Sequence, residues 1–286
     1  MTNDIRTKFI RDLERIEAEN YQLREGEQLQ DFVTLMLEYI GDPQPELRDN
    51  LIYPTFHHWI AIENKFTDQE LRSLLETLID EQHLFYDIGS DGEPSVFTRT
   101  FSVLPVALIL RRHCERPFLE QADFLRVKES LLRYYKEEKD LRGYLTEGGW
   151  AHSAAHGADA LDELVQGPES DDALQREVLA AISGMLHNGK HIFHDEEDER
   201  IATIVSTMMT NNLLPQAEIA NWISGLAGCN DWPRSRSKVI AVVNTKNFLR
   251  SLYFRQREDF HENESGLSEV ILAAERKVNR FVSDHS

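Results

Sequence analysis

The chain has 286 residues, 41% hydrophobic and 28% charged, with 14 glycines and 9 prolines; this fits a soluble globular protein with a sizeable core and excludes a fibrous or disordered chain. The 50 acidic residues against 31 basic ones leave a formal charge of −19, a surface that repels phosphate backbones and anionic lipid heads, so neither nucleic acid nor a membrane is an expected partner. Two distant cysteines, Cys114 and Cys229, make no C-x-x-C pair and no disulfide framework. The opening MTNDIRTKFIRDLERI reads as a charged amphipathic helix without an apolar signal core, and the expected location is the cytoplasm.

In chain order, apolar stripes at helical spacing run first through 4–18 and 27–40, and GDPQP (41–45) breaks the chain after them. In YPTFHHWI (53–60), Pro54 kinks or restarts a helix. His57, His58 and Trp59 there point in different directions; core packing of Phe56 and Trp59 is the simpler reading, with one ring facing a groove. Over 67–79, Thr67 and Glu70 form a capping box, and Leu71, Leu74, Leu75, Leu78 and Ile79 form one apolar stripe. The loosest segment is 87–95, around GSDGEP, where a short ribbon is expected. The longest apolar run, FSVLPVALIL (101–110), is about half a membrane span. Cys114 adjoins His113, but adjacent helical residues do not face one another, so a Cys-His dyad is not expected. Further stripes cover 119–135, 171–186, 197–210, 216–227, 236–255 and 267–283, with turn signals at 115–117, 167–172 and 228–233.

The expected fold is therefore all-α, with short loops joining antiparallel helix pairs. Presumed first helices of these pairs begin near 46, 95, 149 and 198. Their spacing is about 50 residues, slightly above the HEAT and armadillo range of about 40–47. The favoured architecture is a HEAT- or armadillo-like solenoid forming a single domain over 1–286; a compact irregular α-bundle is the alternative. A solenoid lines its first helices along one concave face, suited to a partner or ligand.

The densest stretch is DLRGYLTEGGWAHSAAHGAD (140–159). The pair Gly148-Gly149 reads as a turn, with a helix starting near Trp150. On that helix Ala151, Ala154, Ala158, Leu161 and Val165 share an apolar face. His152, His156, Asp159 and Glu163 lie opposite, within about 60° of arc. Two imidazoles and a carboxylate on one patch suit a metal ion, a polar ligand groove, or hydrogen bonds inside the fold. A zincin requires Glu directly after the first His, and Ser153 stands there instead. Gly157 inside the helix implies close approach of another group. Arg142 pairs with Asp140 or offers its guanidinium to an anion. His187, His191 and His194 fall in the loop HNGKHIFHDEEDER (187–200); they read as surface residues or as completing the site on His152 and His156. The acid run Asp195–Glu199 suits the first turn of the next helix. No G-x-S-x-G, P-loop or G-x-G-x-x-G accompanies these groups.

Three stretches resemble the bacterial family catalogued as domain of unknown function 2785. GDPQPELRDNLIY (41–53) is one, and DERIATIV (198–205) is a weaker one. The most distinctive is the central motif, carried here by Asp140, Arg142, Gly143, Gly149, Trp150, His152, His156, Gly157 and Asp159. The resemblance implies an all-helical bacterial protein and implies no activity.

Two functions follow. One is a non-enzymatic module that binds a protein, peptide or small molecule in a groove around 140–163, using Arg142, Trp150, His152, His156 and Asp159. The other is a metal- or ligand-dependent enzyme, such as a hydrolase, on His152, His156 and Asp159, with a divalent metal as the possible cofactor. Either way these side chains are expected to project from one helix into a concave pocket, with Trp150 at its wall and Arg142 near its mouth.

Overall fold

A computed structural model describes residues 2–259 and 266–281. The last two positions of the helix expected over 267–283 lie outside these. The fold is all-helical apart from one two-stranded ribbon. The helices are α1 (Thr2–Ala18), α2 (Leu29–Glu38), α3 (Pro45–Leu47), α4 (Tyr53–His57), α5 (Asp68–Leu78), α6 (Ser95–Glu115), α7 (Gln121–Glu137), α8 (Ser153–Val165), α9 (Asp172–Leu186), α10 (Glu197–Thr210), α11 (Gln216–Leu226), α12 (Arg236–Asp259) and α13 (Leu267–Val278). Wider π-turns flank α4 at Arg48–Ile52 and His58–Ile62. Pro54, in the first turn of α4, has no N–H and its ring crowds the carbonyl four residues back, which accounts for the widened turn before it.

Sequence patterning carries over into packing. The Thr67–Glu70 capping box forms at the start of α5, and Leu71, Leu74, Leu75 and Leu78 are buried. The apolar run at 101–110 lies inside α6, which is buried along nearly its whole length. No described helix is long and apolar enough to cross a membrane. From α6 onward, the even-numbered helices α6, α8, α10 and α12 each pack on the next, and α13 closes against α12 and α11. Alongside them α7 packs on α8 and α9. Helix α8 is thus enclosed, and Ala154, Ala158, Leu161, Leu164 and Val165 are fully covered.

Two expectations change. The ribbon is not at 87–95 but pairs β1 (Tyr144–Leu145) with β2 (Gly149–Trp150), antiparallel, with Tyr144 opposite Trp150. Gly149 adopts φ +68° there, a conformation glycine takes without steric cost. Segment 87–95 is instead a set of turns, tied down by Arg99 donating to the Tyr86 and Asp87 carbonyls and by the Gly92 N–H donating to Asp140. Helix α8 begins at Ser153 rather than near Trp150. Residues 151 and 152 extend the ribbon, their N–H groups donating to the carbonyls of Gly143 and Arg142.

Gly157 has the close neighbour its position implied: a Cβ there would sit 2.9 Å from the Tyr135 ring and 3.1 Å from Tyr134. Both rings are fully buried, and their hydroxyls donate to the carbonyls of Ala154 and Ser153. Gly157→Ala should therefore lose stability in denaturant melts. Overpacking costs about 1–3 kcal/mol, against a helix-propensity gain of roughly 1 kcal/mol.

Candidate functional site

The segment linking α7 to α8 carries the candidate site, and buried charges hold it. Glu138, just past α7, forms a two-pronged ion pair with Arg99 on α6, at 2.6 and 2.9 Å, and neither side chain has exposed surface. A Glu138 oxygen also accepts the backbone N–H groups of Lys139 and Asp140. Asp140, itself fully buried, takes the Nε and Nη2 of Arg142 at 2.7 and 2.5 Å. Arg48 enters from the first π-turn and donates to the carbonyls of Asp42, Gly148 and Trp150. Its guanidinium lies over Phe97 and near Phe101, 3.8 and 4.9 Å from their ring centroids. Burial lowers the Arg48 pKa to about 10.

This frame delivers Trp150, His152, His156 and Asp159 to a hollow of about 570 Å³, where Asp49, Tyr53, Leu104, His194, Asp195, Glu196 and Arg200 join them. His152 does not share a helix face with His156 and Asp159 as expected, because α8 begins after it. His152 caps the start of α8 in a left-handed conformation, φ +51°, rare for a non-glycine residue. Its ring stacks on Trp150 (centroids 4.6 Å apart, planes at 22°) and its Nε2 donates to the Asp195 carbonyl at 2.8 Å. His156 stands edge-on to His152 and to Phe101, at 5.5 and 5.6 Å. Asp159 accepts both its hydrogen bonds from Arg200, at 2.7 and 2.9 Å.

Arg142 is the correction among the expected binding residues: it does not line the hollow. The fork that an anion would use is committed to Asp140, with a further bond to the Glu93 carbonyl. The metal set His152, His156 and Asp159 also fails to assemble. His152 is spent on a carbonyl and Asp159 on Arg200, and among the described residues no three His, Cys, Asp or Glu side chains are placed to hold a metal ion. Of the loop histidines only His194 reaches the hollow, paired with Asp195 at 3.0 Å. His187 turns to Thr245, and His191 lies beside Phe193 and His194. The acid run begins α10 as expected, with Glu197, Asp198 and Glu199 in its first turn. Burial pushes the Cys114 thiol up to about 12, and the adjacent His113 faces Glu169.

Asp49, Tyr53, Leu104, Asp195, Glu196 and Arg200 are the lining residues that sequence reasoning missed as part of a site. Tyr53 opens the flagged YPTFHHWI stretch. Of its neighbours, His58 stacks on Tyr21 and Trp59 is buried, donating to the Tyr21 carbonyl. Arg200 follows directly on the acid run as its one cation, a signal that was available.

The hollow is electrostatically divided. His156 is half-buried and lines the hollow. Burial, helped by the neighbouring charges of His152 and Arg200, lowers its pKa to about 3, so it is neutral at physiological pH. Its Nδ1 is buried without a hydrogen-bond partner. Burial raises the Asp159 carboxyl against the pull of Arg200, raises Asp49 despite Arg48, and raises the Tyr53 phenol with help from Asp159. Burial alone would also raise Asp195, but the Tyr144 N–H and His194 outweigh it and hold that carboxyl below its ordinary value. A neutral imidazole, carboxylate oxygens, an aromatic wall and one guanidinium surround a space large enough for a small molecule.

A family model described as "Protein of unknown function (DUF2785)" matches residues 84–254, more than half of the chain and the part that carries α6, α8, the ribbon and α10. No curated protein and no solved structure matches the chain.

Two measurements follow. Glu138→Gln strips a buried guanidinium of its carboxylate and should cost about 3–5 kcal/mol in denaturant melts. For His156, the unfolded chain takes up a proton near the ordinary 6.5 and the folded chain only near 3, so protonation favours unfolding between these values. The stability of the wild type relative to His156→Gln should fall as pH drops from about 7 to about 4; a difference independent of pH would contradict the assignment.

Proposed function

The chain belongs to the DUF2785 family of proteins of unknown function, and from that premise we propose that it is a bacterial, cytoplasmic, non-enzymatic binding protein that holds a small polar molecule in the hollow around Trp150, His152, His156 and Asp159. In this reading the helix pairs form one HEAT-like stack over 1–286, and the hollow belongs to its concave side. The observation that carries the proposal is the convergence of Trp150, His152, His156 and Asp159 on one hollow of about 570 Å³.

The ligand's chemistry follows from its surroundings. Asp49, Asp159, Asp195 and Glu196 outnumber the single Arg200 and the exposed His194 around the hollow, which disfavours an anion. A neutral or cationic molecule rich in hydroxyl or amino groups fits, with Trp150 offering an apolar edge. The same balance, with the net charge of −19, argues against nucleic acid and anionic membranes as partners.

A second reading keeps these side chains as a metal-independent enzyme. It draws on the opposed shifts of His156, lowered, and Asp159, raised, a pattern found where protons are exchanged. Against it stands the engagement of Asp159 with Arg200.

The test is thermal stability of the wild type and His156→Phe with monosaccharides, polyols and diamines. At least one compound should raise the wild-type Tm and leave the variant unmoved, since a ligand at a hundred times its Kd adds about 2.7 kcal/mol. Equal shifts in both proteins for every compound would sink the binding proposal; consumption of a bound compound would favour the enzyme.

A further inference from the structure

A second hollow, sharing no lining residue with the first, lies between α7 and α9 with a volume of about 690 Å³. Leu132 and Tyr135 of α7, Leu141 of the linker and Ala181 and Met185 of α9 give it an apolar floor. Its rim carries Lys136, Lys139 and Lys190, all exposed. These are three of only nine lysines in a chain of net charge −19. The carboxylates that line it are already neutralised: Glu138 by Arg99, and Glu177 by Lys128 at 2.8 Å. The lysines are less committed. The ammonium of Lys139 donates to the Lys136 carbonyl, and Lys190 is 3.8 Å from Asp91. An apolar floor under a positive rim, on an otherwise acidic protein, is complementary to an amphipathic anion.

Gly184 adds an independent observation. It lies within α9, lines this hollow, and a Cβ there would meet nothing within 4 Å. Glycine weakens a helix, and at Gly157 a neighbouring ring requires it; at Gly184 no neighbour does. What its missing side chain preserves is the open space of the hollow.

We propose that this hollow binds a free aliphatic carboxylate, its chain along the floor between α7 and α9 and its head among Lys136, Lys139 and Lys190. The site is separate from the His156 hollow and does not depend on the reading given to that one.

The experiment is calorimetric titration of the full chain with decanoate and dodecanoate below their micellar concentrations, and with dodecyltrimethylammonium as the cationic counterpart. Burial of a methylene strengthens transfer from water by about 0.8 kcal/mol, or roughly fourfold, so dodecanoate should bind about tenfold or more tighter than decanoate. The ammonium should bind at least tenfold more weakly than dodecanoate. Gly184→Leu fills the hollow and should abolish dodecanoate binding, whereas His156→Phe should leave it intact. Because Gly184→Leu alters a helix, the surface variant Lys136→Glu/Lys139→Glu/Lys190→Glu serves beside it and should weaken dodecanoate at least tenfold with an unchanged melting curve. Equal binding of dodecanoate by the wild type and the triple variant, equal affinity for the anionic and cationic chains, or no wild-type binding at all would overturn the proposal.

Discussion

Arg99 and Glu138 meet with no exposed side-chain surface on either partner, and much of the local geometry depends on that contact. Taking two charges out of water is expensive unless each is met by hydrogen bonds of good geometry. The pair satisfies that demand by gathering backbone around itself. Glu138 accepts two N–H groups of the linker, and Arg99 reaches the carbonyls of the 86–87 turn and the hydroxyls of Ser90 and Ser95. It thereby joins two irregular segments that have few apolar side chains of their own to pack. Asp140 continues the pattern by binding Gly92 and Arg142, while its carbonyl accepts the Ser153 hydroxyl at the start of α8.

The position of α8 is the second constraint. Packed between α6 and α10 with α7 against it, it covers alanines and a glycine in its first half and Leu161, Leu164 and Val165 in its second. Two tyrosine rings occupy the space that a side chain at 157 would need. The side that escapes this packing carries His156 and Asp159, and there polar groups are enclosed without full satisfaction. Asp159 finds Arg200; His156 retains one nitrogen with no donor. The opposed shifts of the two groups share one cause, the withdrawal of water from both.

The linker thus contributes to two hollows, one polar and one apolar with a lysine rim. Glu138 and Leu141 help to line the second, Trp150 and His152 the first. Both rest on a segment held by ion pairs and hydrogen bonds rather than by regular secondary structure, the kind of segment in which binding groups concentrate when a rigid scaffold positions them.

Local sequence chemistry determined the helices. The period of the leucines over 71–78 and the Thr67–Glu70 capping box act within a few residues of chain and need no partner to be read. The alanine face of α8 was legible for the same reason, as were the close approach at Gly157 and the placing of His156 and Asp159 on one side of a helix. Tertiary structure alone decided the rest. The ribbon at 144–150 owes its place to Arg48 reaching the Gly148 and Trp150 carbonyls from about 100 residues upstream, and it moved the start of α8 to Ser153. That shift took His152 off the helix face and into a left-handed cap, where the Asp195 carbonyl claims it. Arg142 had two possible roles in sequence; a buried Asp140 settled which, because an unpaired carboxylate there would cost more than a free guanidinium gains. Asp49, Tyr53 and Leu104 join the hollow by packing across roughly 50 to 100 residues of chain, a separation that no local period encodes.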